Sequence, residues 1–275
     1  MALVPFPSKT ALRSPADDDD PDFDDDDGAG GKMGFLEHLD ELRKRIIWSV
    51  AAIGVGFVIA FTFIQPLFDF IMRPLQAMLP AGGKLIYTEP SEAFVLNIKI
   101  AAIAGLLLAL PVVFAQIWLF VAPGLYQHEK KLAVPFVMLS TVFFVLGAAF
   151  SHYVVFPMTW KFFVGFSNDY VSFMPRIEPA FAMYLKLLLA MGAVFQMPTL
   201  VLFLARMGVI TARWMLRNFK YAVLVIFVIS AVATPGGDPI SQTAMAAPMI
   251  GLYVISILLA WLFGKRKQTP ASESA

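Results

Sequence analysis

Two acidic positions in this chain have neighbours suited to capturing a positively charged ligand. The first, Glu41, lies in Phe35-Leu36-Glu37-His38-Leu39-Asp40-Glu41-Leu42-Arg43-Lys44-Arg45-Ile46. Phe35, Leu39, Leu42 and Ile46 recur at three- and four-residue spacing, so a helix here carries one apolar stripe. Its opposite face holds Glu37 and Glu41, with Asp40 and Lys44, and Glu41 and Arg45, four residues apart. One reading is a helix on a membrane surface, held by pairs worth a few tenths of a kcal/mol each. The other is that Glu41 binds a cation. The second position, Glu129, is the only acid in Phe120-Val121-Ala122-Pro123-Gly124-Leu125-Tyr126-Gln127-His128-Glu129-Lys130-Lys131. Either the adjacent lysines neutralise it, or it accepts two parallel hydrogen bonds from a guanidinium.

Polar groups inside apolar stretches are functional candidates by default. Gln196, in Val194-Phe195-Gln196-Met197-Pro198, is the deepest. Pro198 removes a backbone donor and frees a carbonyl nearby. Gln196 either satisfies that carbonyl locally or hydrogen-bonds to a neighbouring helix, for about 1 kcal/mol. Lys99 and Lys186 lie near span ends, where their ammonium groups reach back to the interface. Asp238, before Pro239, is first of all a turn residue. No His-Glu-x-x-His, Gly-x-Ser-x-Gly, phosphate-binding glycine loop or paired intramembrane aspartates occur. With no cysteine, thiolate chemistry, thiolate metal sites and disulfides are excluded. Neither a cofactor nor a metal site is expected, and the chain does not look like an enzyme.

The elements that must position these residues are apolar runs long enough to cross about 30 Å of hydrocarbon. The sequence predicts an all-α fold of six transmembrane helices. The first span runs from Ile46 to Ile64, closed by Gln65-Pro66. The second runs from about Ala93 to Phe120, after the helix-start residues Pro90-Ser91-Glu92. The third covers Leu132 to Phe156, closed by Pro157, the fourth Phe181 to Ala205 and the sixth Ala244 to Phe263. Between Lys220 and Pro235 only Tyr221 to Thr234 is free of charge. That fifth span covers roughly 21 Å and must thin the bilayer or draw its flanks inward.

Composition agrees. The 275 residues are 59% hydrophobic and 15% charged, more apolar and less charged than a soluble domain. Nine aspartates crowd between Asp17 and Asp27. Residues 1–32 carry them with proline, serine and glycine and no apolar period, which predicts a disordered acidic tail. Met33 is an alternative start. Residues 33–267 form the membrane domain and 268–275 a second disordered tail. Lys and Arg set the orientation: twelve lie in the segments on the side of the termini and four on the other. The positive-inside rule then puts both termini in the cytoplasm.

At these residues the chain resembles the TatC family, the multispanning core of the twin-arginine protein translocase. The likeness runs from Met33 to about Lys267. It is carried by the Phe35–Arg45 segment, Thr88-Glu89-Pro90 with Glu92 and Phe94, and Gln116-Ile117-Trp118-Leu119 leading into the Phe120–Lys131 segment. Tyr153-Val154-Val155-Phe156-Pro157 and Thr234-Pro235 with Asp238, Ser241 and Gln242 complete it. The resemblance implies a receptor for folded precursors whose signal peptides carry two consecutive arginines. Glu41, Glu129, Arg43, Phe120 and Pro123 match its signal-binding positions. Gln196, Pro74, Asp238 and Tyr153 match positions important for transport or partner contact. The family often has an acid where this chain has Gln196. The implied partners are single-span proteins of the TatA and TatB type, further copies in a multimeric receptor complex, and the lipid bilayer. The implied location is a prokaryotic cytoplasmic (inner) membrane, and the implied energy source is the proton-motive force. A secondary transporter or channel for a small solute is the alternative, and it needs a polar midplane lining that Gln196 alone supplies.

Overall fold

The structure, a computed structural model, describes residues 27–79, 83–121, 133–168, 170, 173–234 and 239–264. Within these residues the regular structure is helical apart from an isolated bridge between Ile86 and Arg176. The helices are α1 (Asp27–Thr62), α2 (Ile64–Gln76), α3 (Glu92–Val121), α4 (Ala133–Phe150), α5 (Phe156–Val164), α6 (Ile177–Val194), α7 (Met197–Arg206), α8 (Ala212–Arg217), α9 (Phe219–Ala233) and α10 (Pro239–Phe263). A π-helical turn, Ser151–Val155, joins α4 to α5.

Five stretches are long and apolar enough to cross a bilayer: Glu37–Thr62, Glu92–Phe120, Val134–Val164, Ile177–Arg206 and Pro239–Phe263. The shorter α9 is the sixth apolar helix. Its 15 residues rise roughly 22 Å, short of the hydrocarbon thickness as the sequence requires. The chain divides into two units after Arg43. In the first, residues 27–32 are helical within α1, although composition assigns them to the tail; residues 1–26 and 265–275 lie outside the described residues.

In the second unit, α10 packs on α7 and α9, and α4 packs on α6 and α3. Tyr184, Phe156, Phe181, Met191, Met245 and Met249 fill the centre. Apolar residues left outside, such as Leu108, Val142, Val225 and Leu258, face what the composition identifies as lipid.

The third span does not end at Pro157. The helix passes this proline and continues to Val164. The π turn makes this possible. Phe156 N–H reaches back five residues to Ser151 O, and Pro157 then enters α5 in its first turn, where a missing N–H costs little. At the opposite kind of boundary, Gly208 (φ 76°) closes α7, and Val209 N–H returns to Leu204 O at 2.9 Å. Only glycine takes that left-handed conformation without strain.

On the side of the bundle where α2 ends, segments 83–91 and 173–177 form a cap. Ile86 N–H donates to Pro175 O at 3.1 Å, and Ile177 N–H donates to Ile86 O at 2.9 Å. Glu92, buried at the start of α3, fastens this cap. Its carboxylate accepts from Arg176 at 2.5 Å, from Thr88 Oγ1 at 3.2 Å and from Thr88 N–H at 3.3 Å. The hydrogen bond to Glu92 raises the Arg176 pKa further above its ordinary value, so the guanidinium stays charged. Lys99 and Glu178 add an exposed pair at 2.9 Å that contributes little. Glu92→Gln is expected to lower the thermal midpoint in detergent by a few degrees. Combining it with Arg176→Gln should cost no more than Glu92→Gln alone, because the two groups act as one unit. Additive losses in that double-mutant cycle would show that the two do not interact.

Candidate functional site

Of the sequence-predicted residues, Glu41 and Arg43 belong to the first unit, and Phe120, Gln196, Pro74 and Tyr153 to the second. In the first unit, Glu37, His38, Leu39, Asp40 and Arg43 are exposed, whereas Glu41 is half-buried. In the second unit, Arg45 is half-buried and its Nη1 donates to Gln116 Oε1 of α3 at 3.3 Å. Ser49 Oγ donates to Arg45 O at 2.9 Å. This tie holds α1 at Arg45 against the last turns of α3.

Phe120, on the last turn of α3, is half-buried. Beside it, Trp118 stacks on Phe136 of α4 with centroids 5.1 Å apart and planes 10° apart. Phe203 of α7 meets both edge-on, at 5.1 and 5.5 Å. Three helix ends are thereby held together by aromatic surface, with ring pairs adding about 0.5–1.5 kcal/mol each beyond burial. The loop these ends carry contains Pro123 and Glu129, which lie outside the described residues. Asp238 also lies outside them. The helix ends bracketing it are joined, since Ser230 Oγ donates to Gln242 O at 2.6 Å and Gln242 Nε2 donates to Phe227 O at 3.0 Å.

Gln196 sits at the break between α6 and α7, where Pro198 lacks an N–H. Its amide does not turn back on its own helix. Nε2 donates to Ser140 O of α4 at 2.9 Å, so the structure selects the interhelical alternative. Gln196→Leu is expected to cost about 1 kcal/mol of stability, the usual worth of such a bond between membrane helices. A mild-denaturant titration in detergent micelles measures it, and an unchanged midpoint would remove the bond from the account.

Pro74 and Tyr153 come together, although 79 positions separate them. Both line a groove of about 310 Å³ with Phe70, Arg73, Ala77, His152 and Pro157. Pro74 is half-buried inside α2, and Tyr153 is largely exposed on the π turn. His152 forms the floor. Its ring lies flat on Phe70 at 4.4 Å, and its Nδ1 is 3.0 Å from the Tyr184 hydroxyl. Sequence reasoning missed this buried pair, along with Glu92–Arg176, Arg45–Gln116 and the three-ring cluster. His152 immediately precedes a quoted motif, but nothing in local spacing links it to Tyr184. Among the described residues no group of three or more His, Cys, Asp or Glu is placed to hold a metal ion.

Comparison with known proteins adds to this geometry. Residues 37–248 match the sequence model of the family described as TatC, Sec-independent protein translocase protein. A Sec-independent protein translocase protein TatC of Desulforapulum autotrophicum is 43% identical over 244 residues, covering 89% of this chain and 90% of that one. Its counterpart in Koribacter versatilis is 43% identical over 248 residues, covering 88% and 91%. A crystal structure of the twin-arginine translocase receptor TatC superposes with a TM-score of 0.70 at 36% identity, covering 81% of this chain and 97% of that one. A second, in DDM, gives 0.72 at 35% identity, covering 81% and 99%.

Proposed function

This chain belongs to the TatC family of Sec-independent protein translocase proteins, and on that premise we propose that it captures twin-arginine signal peptides through Glu41 and Glu129. It is a multi-pass membrane protein of the protein-translocation machinery. Its site faces the cytoplasm of a prokaryotic inner membrane, with both termini on that side. Two guanidiniums in succession need two carboxylates on rigid, partly dehydrated supports, because arginine presents a planar fork that lysine does not reproduce.

One observation carries the reading. Of the acids in the amphipathic segment, Glu37 and Asp40 are exposed and Glu41 is half-buried. A carboxylate withdrawn from bulk water gains more from a guanidinium than an exposed one, since solvent screening is weaker there. Arg43 and the half-buried Phe120 flank the two acids in sequence, and Pro123 belongs with Glu129 to the signal-binding set. The apolar part of the signal lies along the spans. Gln196 and the short α9 receive single-span partners of the TatA and TatB type. Several copies assemble into one receptor complex, the proton-motive force supplies the energy, and the chain hydrolyses nothing.

Photocrosslinking amino acids at positions 41, 129 and 196 test this directly. Positions 41 and 129 should capture a precursor with a twin-arginine signal and not its double-lysine variant. Position 196 should capture a single-span partner. Equal capture of both precursors at 41 and 129 would reject the pairing of acids with arginines.

A further inference from the structure

The groove between α2 and the π turn has a composition that signal capture does not use. We propose that it binds the headgroup of an anionic phospholipid, with the phosphodiester on Arg73 and the glycerol against Phe70, Pro74, Tyr153 and Pro157.

Position comes first. α2 follows the far end of the first span, and α5 carries the third span past Tyr153 towards the exposed Lys161. The groove therefore lies at the boundary between apolar and polar surface, in the leaflet where the first span ends at Thr62. Charge comes second. Arg73 is exposed, and its guanidinium has no ion pair or hydrogen bond among the described residues. Among the described residues no carboxylate lines the groove. Asp69 is one turn before Arg73 on α2, but it forms no ion pair with it and is not part of the lining. The polar hydrogens offered are those of a guanidinium and the phenol of Tyr153, which match the acceptor oxygens of a phosphodiester.

Lining and size decide between a lipid and a free anion. Phe70, Pro74, Ala77, Tyr153 and Pro157 make most of the wall, a poor environment for a small hydrated anion and a good one for glycerol ester groups. About 310 Å³ suits a headgroup with its glycerol; the acyl chains would run along the exposed apolar flanks. The floor is rigid, because stacking on Phe70 and the Tyr184 hydroxyl hold His152 on both sides. Basic pockets between membrane helices select anionic headgroups by this combination of charge and greasy wall.

The test uses the full chain, purified in detergent, exchanged into phosphatidylglycerol and phosphatidylcholine, and examined by native mass spectrometry. Arg73→Gln should reduce retained phosphatidylglycerol at least fivefold relative to the parent, at unchanged helical content by circular dichroism. Lys161→Gln removes an equal charge outside the groove and should leave retention unchanged. Excess glycerol 1-phosphate, which lacks acyl chains, should not displace the lipid. Equal losses in the two variants would identify a diffuse lipid annulus and overturn the proposal. So would full retention in Arg73→Gln, and displacement by glycerol 1-phosphate would overturn it in favour of a free phosphate site. The readout is lipid retention, so it stands or falls separately from signal capture.

Discussion

Charge reversal at either acid, Glu41→Lys or Glu129→Lys, is expected to abolish crosslinking to twin-arginine precursors while the chain still accumulates in the membrane. Removing one partner of a desolvated, hydrogen-bonded ion pair costs about 2–5 kcal/mol, which corresponds to roughly 30-fold to several-thousand-fold in affinity. Reversal adds repulsion between the new ammonium and the incoming guanidinium, so the loss should sit at the upper end of that range. The neutral replacements separate charge from shape. Glu41→Gln keeps size and one acceptor oxygen and should retain more capture than Glu41→Lys, but less than the parent. Substitution at a half-buried position such as Glu41 should leave folding intact. Membrane accumulation of both reversed variants checks this. Crosslinked precursor is quantified against the amount of chain in washed membranes. Capture at parental levels in both reversed variants removes these carboxylates from the signal site.

The second large effect concerns the crossing of α1 and α3. Gly105→Ala should destabilise the bundle by about 1–3 kcal/mol, the range for overpacking a tight contact. A Cβ built on Gly105 would lie 2.4 Å from Phe57 N and 2.7 Å from Phe57 Cα. One built on Gly56 would lie 2.4 Å from Gly105 O. The obstacles are backbone atoms, which cannot swing aside as a side chain can, so the two helices must separate. Close approach through small residues is what holds helices together in lipid, where burial of apolar surface gives no net drive. Gly54→Ala is the matched control. It lies on the same helix as Gly56, and a Cβ there meets nothing within 4 Å. Removing glycine from a helix interior should instead gain up to about 1 kcal/mol. The thermal midpoints of the two variants should therefore move in opposite directions. If Gly105→Ala behaves like Gly54→Ala, the backbones are not in contact.

The six spans were legible because lipid imposes a one-dimensional rule: each crossing needs a continuous run of apolar residues satisfying its own backbone. That rule located α3, α9 and α10 to within a few residues, with α9 correctly short. It failed where a helix end depends on more than composition. Pro157 reads as a stop, yet the chain continues to Val164, because a π turn shifts the hydrogen-bond register ahead of the proline. Pro198 does break its helix, but the direction of the Gln196 amide was open until α4 was in place to offer the Ser140 carbonyl.

The amino-acid sequence by itself determined that this chain is helical, crosses the membrane six times and belongs with a family of protein translocases. Those properties follow from local periodicity, apolar run length and short motifs, each confined to a few neighbouring residues. Tertiary structure alone decided the partners. Glu92 meets Arg176 across 84 positions, Arg45 meets Gln116 across 71, and His152 meets Tyr184 across 32. The groove shared by Pro74 and Tyr153 arises in the same way. Such pairings depend on how helices cross and rotate, which is fixed by close packing of small and large side chains over the whole bundle and leaves no mark in local sequence.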